Sequence, residues 1–129
     1  MPQVSDLTLP VGDAGANVTF NQIDIQDGLA TWRESDAAKS IRAQERISAK
    51  LSKPAGQQRN YIATVRAVLP CMSTVDGVET VTHTNHVEMK VTISPDSTSG
   101  EAAHVALVAQ EILKHTLIET MIADVTGLY

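Results

Sequence analysis

The chain is 129 residues long, with 43% hydrophobic and 19% charged side chains, a composition that builds one aliphatic core and excludes disordered, collagen-like and coiled-coil chains. Aromatic residues make up only 3%, namely Phe20, Trp32, Tyr61 and Tyr129, too few for a platform on which successive bases stack. The formal net charge of −5 opposes attraction of the whole chain to a phosphate backbone, although a local basic face can be hidden within that sum.

The first residues, MPQVSDLTLP, carry neither a charged leader nor an apolar core, so export and membrane insertion are not expected. Val4 to Leu9 and Val18 to Ile23 flank the turn residues Pro10 to Gly15 and predict a β-hairpin within 1–26. Asp27-Gly28 marks a tight turn before the short strand Leu29 to Trp32, whose indole is expected to close one end of the core. Glu34 to Leu51 reads two ways. Its Ala, Lys, Arg, Gln and Glu content favours a helix, whereas Ile47, Ala49 and Leu51 alternate with Ser48, Lys50 and Ser52 as a strand would. Only a strand puts Arg46, Ser48 and Lys50 on one face. Pro54 to Gln58 makes the next turn.

Tyr61 to Leu69 alternates as a strand that Pro70 is expected to end, followed by a small-residue connector over Met72 to Val78 with a turn at Asp76-Gly77. From Val81 to Ile93 the period of two is strongest: Val87, Met89, Val91 and Ile93 face one way, His86, Glu88, Lys90 and Thr92 the other. Thr98 and Glu101 have capping-box spacing, so a helix opens there with a stripe of Ala102, Val105, Ala109 and Ile112. The phase breaks near His115-Thr116, and Leu117, Ile118, Met121, Ile122 and Val125 carry a second stripe before Gly127 stops it. The order predicts one α+β domain over 1–129, with a hairpin in 1–26, an antiparallel sheet in 27–94 and helices in 97–125.

No phosphate loop, zinc signature, redox pair or nucleophile elbow occurs, so no enzyme, cofactor or small-molecule substrate is expected. His83 and His86 lie on opposite faces of a strand, so no metal is expected either. Cys71, the single cysteine, cannot close a disulfide within the chain and fits a reducing compartment. The informative constellation is Arg46, Ser48, Lys50, Thr64, Arg66, His86, Glu88, Lys90 and Thr92, where four Lys or Arg residues oppose one carboxylate on a single face. It reads either as a solvated strand face or as a surface for phosphates, sugars and base edges.

Five segments in order and spacing resemble the coat proteins of single-stranded RNA bacteriophages, the leviviruses. Asp27-Gly28-Leu29-Ala30-Thr31-Trp32 resembles the family's NGVAxW segment, and Gln58-Arg59-Asn60-Tyr61 its NRKY strand. Asp76-Gly77-Val78-Glu79 is similar to its GGVE loop, Met89-Lys90-Val91-Thr92-Ile93 to its MELTI strand, and Thr126-Gly127-Leu128-Tyr129 to its SGIY ending.

The resemblance implies an N-terminal hairpin, a five-stranded antiparallel sheet and two C-terminal helices, with two subunits interlocked as a homodimer. It makes Arg46 to Leu51 a strand and places Val105, Ala109, Ile112, Leu117 and Met121 at the dimer interface. It further implies a T=3 icosahedral shell in the virion, assembled in the bacterial cytoplasm around the single-stranded RNA genome. An RNA hairpin serves as packaging signal and translational operator in studied relatives. By that analogy Arg46, Ser48, Lys50, Thr64, Arg66, His86, Glu88 and Lys90 would contact RNA, while Cys71, Met72, Ser73, Thr74, Val75, Asp76, Gly77 and Val78 would form the segment that adapts between symmetry environments. His86 stands where relatives stack a loop base on tyrosine, and Glu88 where they carry Asn or Asp, so a specific hairpin would differ from theirs. The alternative is a cellular dimeric α+β module that binds a ligand or protein on its open sheet, stops at a dimer and carries no nucleic acid.

Overall fold

The computed structural model describes residues 5–26, 28–36, 39–57 and 59–125. Among them lie six strands, β1 (Leu7–Leu9), β2 (Val18–Gln26), β3 (Leu29–Glu34), β4 (Arg46–Ser52), β5 (Tyr61–Val75) and β6 (Val78–Ile93), and two helices, α1 (Ser99–Lys114) and α2 (Thr116–Asp124). The strands form one antiparallel sheet in chain order. The expected hairpin and sheet therefore share a strand. Phe20 in β2 pairs with Leu7 on one side and with Glu34 on the other, so the hairpin continues the sheet instead of adding two strands to it. A register shift between Gln22 and Asp24 adds local twist within this shared strand.

The ambiguous segment resolves into a 3-10 turn at Ile41–Ala43, whose Ala43 is buried, and then strand β4. Tertiary packing overrides the helical propensity here, because pairing of Trp32 with Ile47 and of Ala30 with Ala49 brings β4 against the core. That core is small: Phe20, Ala30 and Trp32 are buried together, with Leu7, Leu9, Val18, Ile47 and Ala49 packed around them. The Trp32 indole N–H donates to the Ser5 carbonyl at 2.8 Å, so the ring closes its end of the core with its polar atom satisfied.

Three expectations change. Pro70 does not end β5 but sits opposite Thr84 within it. Beyond Val68 the strand has left β4 behind and pairs only with β6, and proline is tolerated on such an open edge. Secondly, the connector over Met72 to Val78 is the tip of a β-hairpin. Asp76 at φ 51° and Gly77 at φ 77° form a two-residue turn between the paired Val75 and Val78, the positive-φ geometry that suits the twist of antiparallel strands. Thirdly, α2 ends at Asp124, and Val125 takes the left-handed cap at φ 53°. Val125 is 89% exposed, so no packing surface repays carrying the apolar stripe into another turn. Gly127 lies outside the described residues.

Helix starts follow their local chemistry. Thr98 Oγ1 accepts from the Glu101 N–H at 3.2 Å while Glu101 Oε2 accepts from the Thr98 N–H at 3.3 Å, which satisfies two otherwise orphaned donors of α1. At the break, His115 adopts extended backbone and its Nδ1 accepts from the Leu117 N–H at 3.2 Å, capping α2.

The apolar faces stay open. Neither helix contains a buried residue, and Leu51, Val65 and Val87 on the apolar sheet face are exposed along with Ile112 and Leu117. The accessible area is 9798 Å², against roughly 6,600 Å² for a compact monomer of this mass. About 3,200 Å² of surplus surface thus lies on one chain.

Beside the small core, Glu45 borders a cavity lined also by Leu9, Val11, Phe20, Ile47, Ala67 and Leu69. Its carboxyl is held above the usual carboxylate range by burial and by the charge of Glu34, with Lys39 opposing. Lys39 Nζ donates to Glu34 Oε1 at 2.9 Å, which raises the ammonium pKa in turn.

Two outcomes follow from this packing. Phe20→Ala removes the most buried side chain and should lower unfolding free energy by about 3–5 kcal/mol, read from urea midpoints at fixed protein concentration. Because folding favours protonated Glu45, its contribution improves as pH falls through its raised pKa toward the unfolded value of 4.5 and is lost as pH rises. Glu45→Gln should therefore raise Tm at pH 7, and the gap to the parent should close on acidification.

Candidate nucleic-acid interface

Strand register decides which side chains meet. Neighbouring strands run roughly 4.8 Å apart, and residues directly opposite each other share a face. Three rows cross the sheet from β3 to β6: Leu29, Lys50, Thr64, Lys90; then Thr31, Ser48, Arg66, Glu88; then Arg33, Arg46, Val68, His86. Every polar-face residue from Arg46 to Lys90 singled out in the sequence falls in this grid. Thr92, opposite Ile62, begins the next row.

Ser48 and Thr64 are half-buried between longer neighbours, whereas Arg46, Lys50, Arg66, His86, Glu88 and Lys90 are exposed. A depression of about 340 Å³ is lined by Leu29, Ser48, Lys50, Thr64 and Arg66. Two hydroxyls, an ammonium and a guanidinium thus surround one apolar wall. Arg66 Nε lies 3.4 Å from Glu88 Oε2 with both side chains more than half exposed, so the carboxylate offsets one of the four cations and leaves Arg46, Lys50 and Lys90 spread around the pair. Such a face offers hydroxyls to sugars and base edges and cations to phosphates.

Sequence reasoning missed the β3 contribution. Thr31 stands opposite Ser48 and Arg33 opposite Arg46, the latter with a buried Nε that has no hydrogen-bond partner. Leu29, Thr31 and Arg33 do alternate with Ala30 and Trp32, but their face became assignable only once β4 was placed as a strand in register with them. The Cys71 to Val78 segment lies apart, at the β5–β6 tip, where the Asn85 side-chain N–H2 donates to Cys71 Sγ at 3.6 Å. Ser73 to Val78 are exposed. Among the described residues no group of His, Cys, Asp or Glu side chains is placed to hold a metal, and no helix is long and apolar enough to cross a membrane.

One antiparallel sheet with opposed polar and apolar faces, followed by two helices whose apolar stripes find no cover in their own chain, defines the fold of RNA-phage coat proteins. The chain belongs to the levivirus coat protein family, which it matches over residues 2–129; this is a family of structural proteins. Solved structures agree on the fold. The virus-like particle of Beihai levi-like virus 21 is 22% identical, with a TM-score of 0.89 over 99% of each chain. That of bacteriophage NT-214 is 20% identical, with a TM-score of 0.83 over 99% of this chain and 100% of the other. The capsid protein of bacteriophage GA is 18% identical, with a TM-score of 0.75 over 97% of each chain. No curated protein sequence matches the chain.

An exposed ion pair contributes little to folding, typically about 0–1 kcal/mol. Arg66→Ala should accordingly leave the urea midpoint almost unchanged, which makes any loss of ligand binding in that variant a contact effect.

Proposed function

We propose that the chain is the capsid subunit of an RNA phage, a single domain over 1–129 that dimerises and closes into an icosahedral shell around the single-stranded RNA genome. The observation that carries this reading is the surplus apolar surface. Closing about 3,200 Å² on each of two chains reaches the size of obligate homodimer interfaces, which run from about 2,000 to over 5,000 Å² in total. Helices α1 and α2 would lie across the partner's sheet, setting Val105, Ala109, Ile112, Leu117 and Met121 against Leu51, Val65 and Val87. Two relatives of the same fold are named as virus-like particles, which supports assembly beyond a dimer.

In that arrangement the polar faces of two sheets join and line the inside of the shell. Arg46, Lys50, Arg66 and Lys90 meet phosphates, while Ser48, Thr64, His86 and Glu88 meet sugars and bases of a hairpin that marks the genome for packaging and shuts off translation of the message it lies in. The exposed hairpin tip from Cys71 to Val78 is the segment that adapts to different symmetry environments. Assembly takes place in the cytoplasm of the bacterial host.

The chain expressed alone in bacteria should elute as particles that are uniform by electron microscopy and absorb at 260 nm as protein with RNA. A nucleic-acid-free dimer that never assembles, under varied salt and added RNA, would replace this reading with a cellular binding module. Ile112→Asp or Met121→Asp should abolish the soluble dimer, because each buries an unpaired charge at the interface; a stable folded monomer would sink the interlocked arrangement. Arg46→Glu or Lys50→Glu should reduce packaged RNA more than dimer stability, read from the 260/280 ratio beside denaturation curves.

A further inference from the structure

Glu88 is the one carboxylate among the cations of the polar face, and its surroundings differ from those of the hydroxyl-lined depression. A second recess of about 370 Å³ is lined by Arg66, Ala67, Val68, His86, Val87 and Glu88. Arg66 borders both recesses. Across the second, His86 stands opposite Val68, and Glu88 stands opposite Arg66 with Oε2 at 3.4 Å from its Nε. An imidazole and an apolar side chain thus lie beside a carboxylate that a guanidinium holds from the neighbouring strand.

An ionised carboxylate only accepts hydrogen bonds, which restricts what it can meet on RNA. Phosphates are repelled, and the available donors are the ribose hydroxyl and the N–H groups of unpaired bases. Guanine alone places two donors side by side on its Watson–Crick edge, N1–H and N2–H, matching the two oxygens of one carboxylate. Adenine and cytosine set a ring acceptor next to their single amino group, and uracil sets its one N–H between two carbonyls. Each of those acceptors would face a carboxylate oxygen.

Resting on the RNA-binding reading above, we propose that Glu88 is a specificity-determining residue that selects an unpaired guanine in the bound RNA. The guanine ring lies on His86 and Val68, its N1–H and N2–H donate to the Glu88 oxygens, and Arg66 orients the carboxylate while its remaining N–H groups face the RNA backbone. The same recess then rejects the other bases through unpaired acceptors instead of through shape.

The test uses the full-length chain, diluted until it no longer assembles, and RNA hairpins of one stem whose four-nucleotide loop is adenine except for a single guanine moved through each position. One position should bind on the order of tenfold more tightly with guanine than with adenine, the size of a good bidentate base contact, and inosine there should lose most of the gain because it lacks N2. Glu88→Gln should erase the guanine preference while holding affinity for the all-adenine loop within a few-fold, and Glu88→Asp should retain part of it. A flat series, a preference for cytosine at that position, or a Glu88→Gln variant that tightens every loop equally would overturn the proposal and leave Glu88 as a repulsive charge. RNA-filled particles with a flat series would overturn the base-reading role alone; failure to form particles or to bind any hairpin would overturn the capsid reading and this inference together.

Discussion

The period of two along β4, β5 and β6 sorts side chains onto two faces of one sheet, and the chain is too short to cover the apolar one. Ile47, Ala49, Ala63, Val65, Val87, Met89 and Val91 form a continuous apolar field by register. Only the end of the sheet beside the N-terminal hairpin is sealed, by Phe20 and Trp32. A sheet that exposes such a field in water pays the full hydration penalty of its area, so the fold is complete only with a second surface. The two amphipathic helices have the same deficit, and complementary deficits on one chain are what a symmetric pair resolves.

The helices illustrate the division between local and nonlocal causes. The reciprocal Thr98–Glu101 cap and the His115 cap of α2 are local chemistry, and they fix where each helix begins without help from the sheet. What the stripes pack against is nonlocal and belongs to another chain. Secondary structure here is thus specified in each subunit, while most of the hydrophobic stabilisation of α1 and α2 is left to association, as expected where tertiary contacts outweigh propensity.

Legibility of the sequence follows the same division. The alternation from Val87 to Ile93, the capping box and the break at His115 are written in contiguous residues and emerge in the structure where the pattern puts them. The identity of β4 was not written locally, because its Ala-, Lys- and Arg-rich composition competes with an alternation that only contact with Trp32 and Ala30 rewards. Pro70 misled for a related reason: proline signals a strand end unless the strand has an open edge there, and that edge depends on where β4 stops. The polar face was legible as a list of residues from β4 to β6, but its β3 members and the Arg66–Glu88 pairing needed the register, which no short motif encodes.

Charge is segregated by the same geometry. The chain carries −5 overall, yet four of its ten Lys and Arg residues sit on β4 to β6 within the polar grid, with Arg33 beside them on β3. Acidic groups are gathered elsewhere, including Glu34 and Glu45 near the small core and Glu101, Glu111 and Glu119 along the helices. In a closed shell this sorting attracts phosphate to one side of the subunit layer and repels it from the acidic elements, without requiring a basic protein. Against that field, Glu88 is energetically misplaced for phosphate binding. A carboxylate retained at the centre of a cationic face, restrained by Arg66, has physical value only if it meets a donor, and unpaired bases are the part of RNA that supplies donors in pairs.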